Sequence, residues 1–187
     1  MNKVKLLIIF IVTSWLLGFL YFIKITQNTT NTDRSITDAI IVFGQKKQYL
    51  YAATELLKLG YAPLIFITGN GNRTEFRNYF QTHKLAGEQF IFKEEVAGSN
   101  DNYVNSLIVF LNKYNLHSVR IVVDSYELPR LMIEIGSLLP RDLTVISHPV
   151  VLPGKQYGLI FKEYIKYWLM LLASFVGHEN ELNLSYS

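Results

Sequence analysis

The feature that most constrains this chain is an uncharged apolar run near its start, Leu6–Ile23. These 18 residues contain no Asp, Glu, Lys or Arg. At 1.5 Å per residue, a helix of that length covers roughly 27 Å, close to the thickness of the hydrocarbon core of a bilayer. Trp15 lies near the middle of the run. The run therefore predicts one transmembrane helix.

The charges on either side of the run predict its orientation. Lys3 and Lys5 precede it, whereas Lys24 is followed by Asp33 and Arg34, which cancel each other. By the positive-inside rule the N-terminus is cytoplasmic, and the rest lies in the periplasm of a single-pass inner-membrane protein. A cleaved signal peptide is the alternative. It is disfavoured because its apolar core is usually about 7–15 residues long and a small-x-small site follows it.

Composition and length indicate how the whole chain is divided. We divide it into an anchor over 1–24, a polar tether over 25–36, an α/β domain over 37–177 and a flexible C-terminal tail over 178–187. The absence of cysteine excludes disulfides, thiolate metal sites and cysteine nucleophiles. The net charge of +3 is small and its basic residues are scattered, which argues against a nucleic-acid partner.

After the tether, short apolar runs alternate with amphipathic stretches. The runs predict strands over 38–43, 64–68, 89–93, 119–123 and 143–147, and the stretches predict helices over 48–59, 74–85, 102–114 and 128–138. This alternation is typical of an α/β fold: a doubly wound, mostly parallel, five-stranded Rossmann-like sheet, here preceded by one transmembrane helix.

The stretch 157–176 is apolar enough to raise the question of a second membrane span. Lys162, Glu163 and Lys166 interrupt it, so its uncharged part falls far short of the roughly 20 residues that a span requires. We expect a closing helix that packs on the domain or lies on the membrane surface.

Polar residues follow several predicted strands and precede one predicted helix. Because ligands bind beyond the carboxyl ends of the strands in open parallel sheets, these residues form the candidate binding site. They are Gly44, Gln45, Gly69, Asn70, Ser99, Asp101, Asn102, Asn105, Asp124, Ser125 and Arg130. The pattern indicates a pocket for a small polar or anionic group, without naming a catalytic residue, a cofactor or a metal.

Several of these residues have a second interpretation. The loop 69–72 is either an anion-binding helix start or a plain turn. Asp101, or Asn100 beside it, is either a ligand contact or a helix N-cap. Arg130 either clamps a phosphate or carboxylate, or pairs with Glu127 or Glu134. No dinucleotide fingerprint, P-loop or nucleophile elbow is present, and the four histidines are dispersed.

Five blocks of the chain resemble the YdcF-like family, which includes the SanA and ElyC types of envelope proteins. They are TDAIIVFGQ, AATELLKLGYAPLIFITGNG, SNDNYVNS, IVVDSYELPR and KEYIKYWLMLL, and the resemblance spans most of residues 37–170. The most specific part is A-x-x-L-x-x-x-G-x-A-P before a strand and T-G. The resemblance implies a Rossmann-like domain in a bacterial membrane protein.

The chain also departs from the family's pattern. The glycine cluster after the first strand is reduced to Gly44, which is followed by Gln45. The family's glutamate position in the third block carries Val104, and its histidine position in the fourth carries Glu127, while Arg130 is kept. A valine neither accepts a proton nor hydrogen-bonds, so catalysis is weakened or absent.

The resemblance and the anchor together imply a cell-envelope factor. It would bind a phosphate-containing, lipid-linked glycan precursor. If the protein is active, it would also hydrolyse that precursor. The alternatives are a non-catalytic scaffold or partner-binding module, and a binder of an S-adenosylmethionine-type nucleotide. The last rests on fold analogy.

Overall fold

The structure is a computed structural model and describes residues 3–27, 33–44, 46–69, 72–96, 103–136, 138–151, 154 and 156–184. The helices are α1 (Lys3–Gln27), α2 (Lys47–Lys58), α3 (Arg73–Thr82), α4 (Lys93–Val96), α5 (Tyr103–Tyr114), α6 (Leu128–Gly136) and α7 (Tyr157–Leu184). The strands are β1 (Ala39–Val42), β2 (Ile65–Ile67), β3 (Phe90–Phe92), β4 (Ser118–Asp124) and β5 (Thr144–Val150). A short 3-10 helix, Gly87–Gln89, precedes β3.

The chain divides into two compact units. We call Thr30–Asp124 with Ile135–Val150 the sheet unit, and Met1–Thr29, Ser125–Glu134 and Val151–Ser187 the helical unit. The sheet unit holds all five strands, and the helical unit holds α1 and α7.

The sheet confirms the predicted fold class. All strand pairs are parallel, in the order β3-β2-β1-β4-β5. The strands are short apolar segments, and every residue of β1 and β2 is buried. Burial on both faces explains why these strands read as continuous apolar runs and not as alternating ones.

Helices cover both faces of this sheet. On one face, Ile40, Ile65 and Phe90 pack with apolar residues of α2 and α3 in a single core cluster. On the other, Phe66 stacks on Phe110 of α5, with ring centroids 4.1 Å apart. Alternate residues of a strand point to opposite faces, so a sheet with both faces covered is doubly wound.

The helix boundaries differ from the predicted ones at a few ends. The helix predicted over 74–85 ends at Thr82, where Lys84 takes a positive φ of 63° and closes the turn. The last helix continues to Leu184, so residues 178–184 of the predicted tail are helical. The 3-10 helix and α4 were not predicted, because segments of three or four residues carry no periodic signal.

Helix α1 is long and apolar enough to cross a membrane, and almost all of its apolar stretch is exposed. Its side chains from Val4 to Leu17 are mostly exposed leucine, isoleucine, valine and phenylalanine. An exposed apolar surface of this extent needs a nonaqueous neighbour. The structure therefore supports membrane association through α1.

Within the helical unit, α1 and α7 meet around Tyr164. Its hydroxyl donates to the main-chain oxygen of Trp15 at 3.0 Å, and its ring lies 5.3 Å from those of Trp15, Phe19 and Phe22. A Cβ atom at Gly18 would lie 2.7 Å from the Tyr164 hydroxyl oxygen. The glycine therefore permits the close approach of the two helices.

In the sheet unit, Asp38 joins the amino-terminal ends of β1 and β4. Its carboxylate accepts from the main-chain N–H of His117 at 2.9 Å and of Ser118 at 2.8 Å, and from the Ser118 hydroxyl at 2.9 Å. Burial alone would raise the pKa of Asp38, but these hydrogen bonds outweigh it and hold the pKa below its usual value.

We expect Asp38→Asn to lower the free energy of unfolding by about 1–2 kcal/mol at neutral pH, because it removes the charge that these donors stabilise. A depressed folded pKa gives stability that is present above the unfolded pKa of about 3.9 and lost as the pH falls through the folded pKa. The difference in the free energy of unfolding between Asp38→Asn and the unsubstituted protein should therefore disappear at acidic pH. Urea unfolding at a series of pH values measures this difference. A difference independent of pH would contradict this role, and the exposed Asp142→Asn serves as control.

Candidate functional site

The strand order places a switch point between β1 and β4. From β1 the chain moves outward to β2 and β3, then returns to the other side of β1 with β4. The carboxyl ends of β1 and β4 are neighbours, since Val42 pairs with Val122 and the Phe43 N–H donates to the Val122 oxygen at 3.0 Å. Open parallel sheets bind ligands in the crevice outside such a point.

A charged pair occupies this position. The Lys46 ammonium, at the N-cap of α2, forms an ion pair with Oδ2 of Asp124, the last residue of β4. The Asp124 side chain is 0% exposed, whereas that of Lys46 is 39% exposed. One end of the pair therefore lies inside the protein and the other reaches solvent.

The second carboxylate oxygen of Asp124 is buried and has no hydrogen-bond partner among the residues that the structure describes. Buried polar atoms are nearly always hydrogen-bonded, and an unsatisfied one costs about 1–3 kcal/mol. Asp124 therefore offers a buried acceptor beside a half-exposed ammonium.

Gly44 shapes the turn between β1 and this pair. Its φ of +115° lies in the region that favours glycine, and a Cβ there would lie 2.9 Å from the ring of Tyr49. The Lys46 ammonium lies 5.4 Å from the centroid of the same ring. Gly44, Lys46, Tyr49 and Asp124 thus form one packed group, which we call the switch-point cluster.

The loop after β2 has a structural cap. The Asn72 side-chain oxygen accepts from the N–H groups of Thr74 at 3.1 Å and Glu75 at 3.3 Å, so Asn72 is the N-cap of α3. Gly69, half-buried, follows Thr68, whose hydroxyl donates to the Val42 oxygen at 3.0 Å. These contacts account for Asn72 and Thr68 as local structure.

Three basic residues lie at the carboxyl end of β3. The guanidinium groups of Arg73 and Arg77 lie 5.4 and 5.5 Å from the centroid of Phe92, and Lys93 is buried directly after it.

Five of the predicted site residues lie outside the described part of the chain. They are Gln45, Asn70, Ser99, Asp101 and Asn102. Asn105 is described: it is exposed on the first turn of α5, next to the buried Val104. Within the sheet unit, Gly44, Gly69, Asn105 and Asp124 are thus placed, and Gly44 and Asp124 join the switch-point cluster.

Ser125 and Arg130 belong to the helical unit, where Ser125 is buried. The Arg130 guanidinium donates to Glu134 at 2.5 Å and to Glu163 of α7 at 2.8 Å, and Glu163 also accepts from Lys166 at 2.7 Å. The pairing with Glu134 is one of the two predicted alternatives to a ligand clamp. The four charges sum to zero, so the cluster carries no excess positive charge for an anion.

His148 lies inside β5, opposite Val122. Burial lowers its pKa, and the nearby charge of Arg120 lowers it further. Among the described residues, no group of three or more His, Asp or Glu side chains is arranged to hold a metal ion.

Sequence reasoning placed Lys46 after the first strand but did not predict its ion pair with Asp124. The signal available was a lysine two residues beyond the glycine that ends the first strand, in a chain where a neighbouring strand ends in Asp. That signal becomes specific only when β4 is known to lie beside β1.

The chain is similar to two proteins of Rickettsia, both described as uncharacterized. It is 28% identical to protein RP875 of Rickettsia prowazekii over 173 residues, which cover 91% of this chain and 98% of that protein. It is 26% identical to protein RC1356 of Rickettsia conorii over 161 residues, which cover 85% of this chain and 93% of that protein. No protein-family model and no solved structure matches the chain.

Proposed function

We propose that this chain is a membrane-anchored cell-envelope protein that binds a small, phosphate-containing ligand of the lipid-linked glycan class at the switch-point cluster. The observation that carries the proposal is the buried Asp124 carboxylate, with one oxygen paired to Lys46 and the other without a partner among the described residues.

The chemistry of the cluster matches such a ligand in two respects. The second carboxylate oxygen of Asp124, which has no partner among the described residues, is an acceptor for the hydroxyl groups of a sugar. The pair with Asp124 has no net charge, but the half-exposed ammonium of Lys46 reaches solvent, where its N–H groups can donate to a phosphate oxygen. Gly44 has no side chain, so a ligand can approach the main chain there.

Helix α1 and its flanking charges support a location in the cell envelope. An apolar helix with Lys3 and Lys5 before it predicts a cytoplasmic N-terminus and an extracytoplasmic domain. The resemblance to the YdcF-like family supports the same address. A reporter fused to the C-terminus should be active outside the cytoplasm, and cytoplasmic activity would contradict this part of the proposal.

Binding is favoured over hydrolysis by two observations. Val104, at the family's glutamate position, is buried within α5, and the guanidinium of Arg130 is engaged by two carboxylates. The groups left at the switch-point cluster hold a ligand by hydrogen bonds and charge. We therefore propose a non-catalytic binding protein as the form of this function that the geometry supports best.

The test is lysine footprinting of the full chain in detergent. A soluble short-chain prenyl diphosphate sugar is added, primary amines are acetylated, and modification at each lysine is measured by mass spectrometry. We expect the ligand to protect Lys46 and to leave Lys47 unchanged. Lys47 is a matched control because it is the next residue, is 79% exposed and pairs only with the exposed Glu75 at 3.0 Å among the described residues.

Equal modification of Lys46 with and without the probe would contradict binding at this cluster. S-adenosylmethionine is titrated in parallel, and protection by it alone would replace the proposed ligand class with a nucleotide. Asn105→Ala and Arg130→Ala test the other predicted residues, and unchanged protection in both would restrict the site to the switch-point cluster.

A further inference from the structure

Helix α7 exposes a continuous apolar stripe. Its members are Phe161, Ile165, Trp168, Leu169 and Leu172, each at least 36% exposed. They recur at intervals of four, three, one and three residues, which places them on one side of a helix. Five large apolar side chains in a row form a patch that a soluble monomer seldom leaves in water.

Of the charged residues of α7 near this stripe, Glu163 lies opposite it, and Lys162 and Lys166 border it. Glu163 and Lys166 bind each other, and Glu163 also binds Arg130. With 3.6 residues per turn, position 163 falls on the opposite side of the helix from positions 161, 165 and 172, whereas positions 162 and 166 lie beside position 169. The helix is therefore amphipathic, and its ion pairs do not interrupt the apolar stripe.

The contact with α1 indicates what covers the stripe. Tyr164 of α7 touches α1 at Trp15, Gly18, Phe19 and Phe22, which are in the second half of the apolar run Leu6–Ile23. Close approach over a glycine, with a side-chain hydrogen bond between the helices, is how helices associate in lipid. A helix packed at that level of a spanning helix lies beside the same leaflet.

We propose that the stripe on α7 inserts into the leaflet that surrounds the second half of α1, so that α1 and α7 form one membrane-contacting pair. The occupant of the stripe is the lipid bilayer, because Phe161 of the stripe packs on Trp15 and Phe19 of α1, so that the exposed apolar surface of α1 continues onto α7 within the helical unit. The ion pairs of Glu163 face away from the stripe, so the stripe can enter the leaflet without placing them among the acyl chains. The inference rests on insertion of α1 and not on the ligand site.

The chain offers a direct test because it has two tryptophans, one on each helix, and no cysteine. Full-length Trp15→Phe, which keeps only Trp168, and Trp168→Phe, which keeps only Trp15, are reconstituted in phosphatidylcholine vesicles with brominated acyl chains. We expect both to be quenched strongly. Quenching of Trp15 without quenching of Trp168 would overturn the proposal while leaving the anchor intact. Quenching of neither would remove the insertion of α1 on which it rests.

A second measurement uses single cysteines and the permeant reagent N-ethylmaleimide. Thiols react as thiolates, which do not form in hydrocarbon, so Leu172→Cys should react at least about tenfold more slowly than Leu59→Cys in vesicles. Leu59 is a matched control because it is an exposed leucine of the sheet unit, immediately after α2. Equal rates would overturn the proposal. Slow reaction at Leu172→Cys without bromolipid quenching of Trp168 would indicate that a second copy of the chain covers the stripe. That result would also overturn the proposal.

Discussion

Replacing Lys46 with methionine should lower the free energy of unfolding by about 3 kcal/mol, the lower end of the range for removing one partner of a buried ion pair. The Asp124 carboxylate is fully buried, so the loss of its ammonium partner leaves a charge that water cannot reach. The lower end applies because Lys46 is itself partly exposed and solvent screens the pair on that side. Urea unfolding of the full chain in detergent, followed by circular dichroism, measures this change.

The reverse substitution should cost less. Asp124→Asn removes the buried charge and leaves Lys46, whose ammonium can be solvated because it already reaches water. The double variant Lys46→Met with Asp124→Asn should then be about as stable as Asp124→Asn alone. The resulting coupling energy, about 3 kcal/mol, is at the upper end of the range for residues in direct contact.

Lys47→Met provides the control for the same change one residue later. Lys47 pairs with Glu75 at 3.0 Å, but both side chains are at least half exposed, and such pairs contribute about 0–1 kcal/mol. If Lys46→Met and Lys47→Met were equally mild, Asp124 would not depend on Lys46. The cluster would then be without the ion pair on which the proposed ligand site is built.

The fold could be predicted from the sequence because strands that are buried on both faces of the sheet are apolar at nearly every position. The run Ala39–Val42 is apolar at every position and is buried at every position. The order of strands and helices along the chain then restricts the topology, since the crossover connections between parallel strands are right-handed. These are local signals, and the five strands were predicted from them.

The contacts of the candidate site are a different case, because they join residues far apart in sequence. Asp124 was predicted from its place after the fourth strand, but Lys46 is 78 positions away and pairs with it only because β4 lies beside β1. Arg130 was predicted either as a ligand clamp or as a partner of Glu127 or Glu134. It pairs with Glu134, but also with Glu163, 33 positions away, which the sequence did not indicate. A single sequence carries no periodic pattern for such pairs.

Arg120 shows the same limit within a strand that was predicted well. The run 119–123 reads as a buried strand although it contains an arginine, and the arginine is 0% exposed. Its guanidinium donates to the main-chain oxygens of Asp33 at 3.2 Å and Ser35 at 2.7 Å, and lies 5.1 Å from the centroid of Tyr61. Burial lowers the pKa of Arg120, and the charge of Asp33 opposes that shift.

These contacts lead to the second large effect that we expect. Arg120→Met keeps most of the side-chain volume but removes both donors to the segment before β1. Hydrogen bonds from a charged group contribute about 1.5–3 kcal/mol each, so two at the lower end give about 3 kcal/mol of protection against local opening. That corresponds to roughly a hundredfold larger open population. Trypsin cleavage after Arg34, which lies between the two carbonyls, should accelerate by a similar factor.

Local opening and global unfolding predict different outcomes for this variant. If Arg120 holds the segment 33–35 against the sheet, cleavage at Arg34 accelerates far more than cleavage at Arg141, an exposed site on the loop before β5. If Arg120 instead supports the whole sheet, both sites accelerate together and the urea midpoint falls in proportion. Arg141→Met is the matched control, since it removes an exposed arginine and should leave cleavage at Arg34 unchanged. Cleavage at Arg34 that is unchanged in Arg120→Met would show that the two hydrogen bonds do not hold the tether.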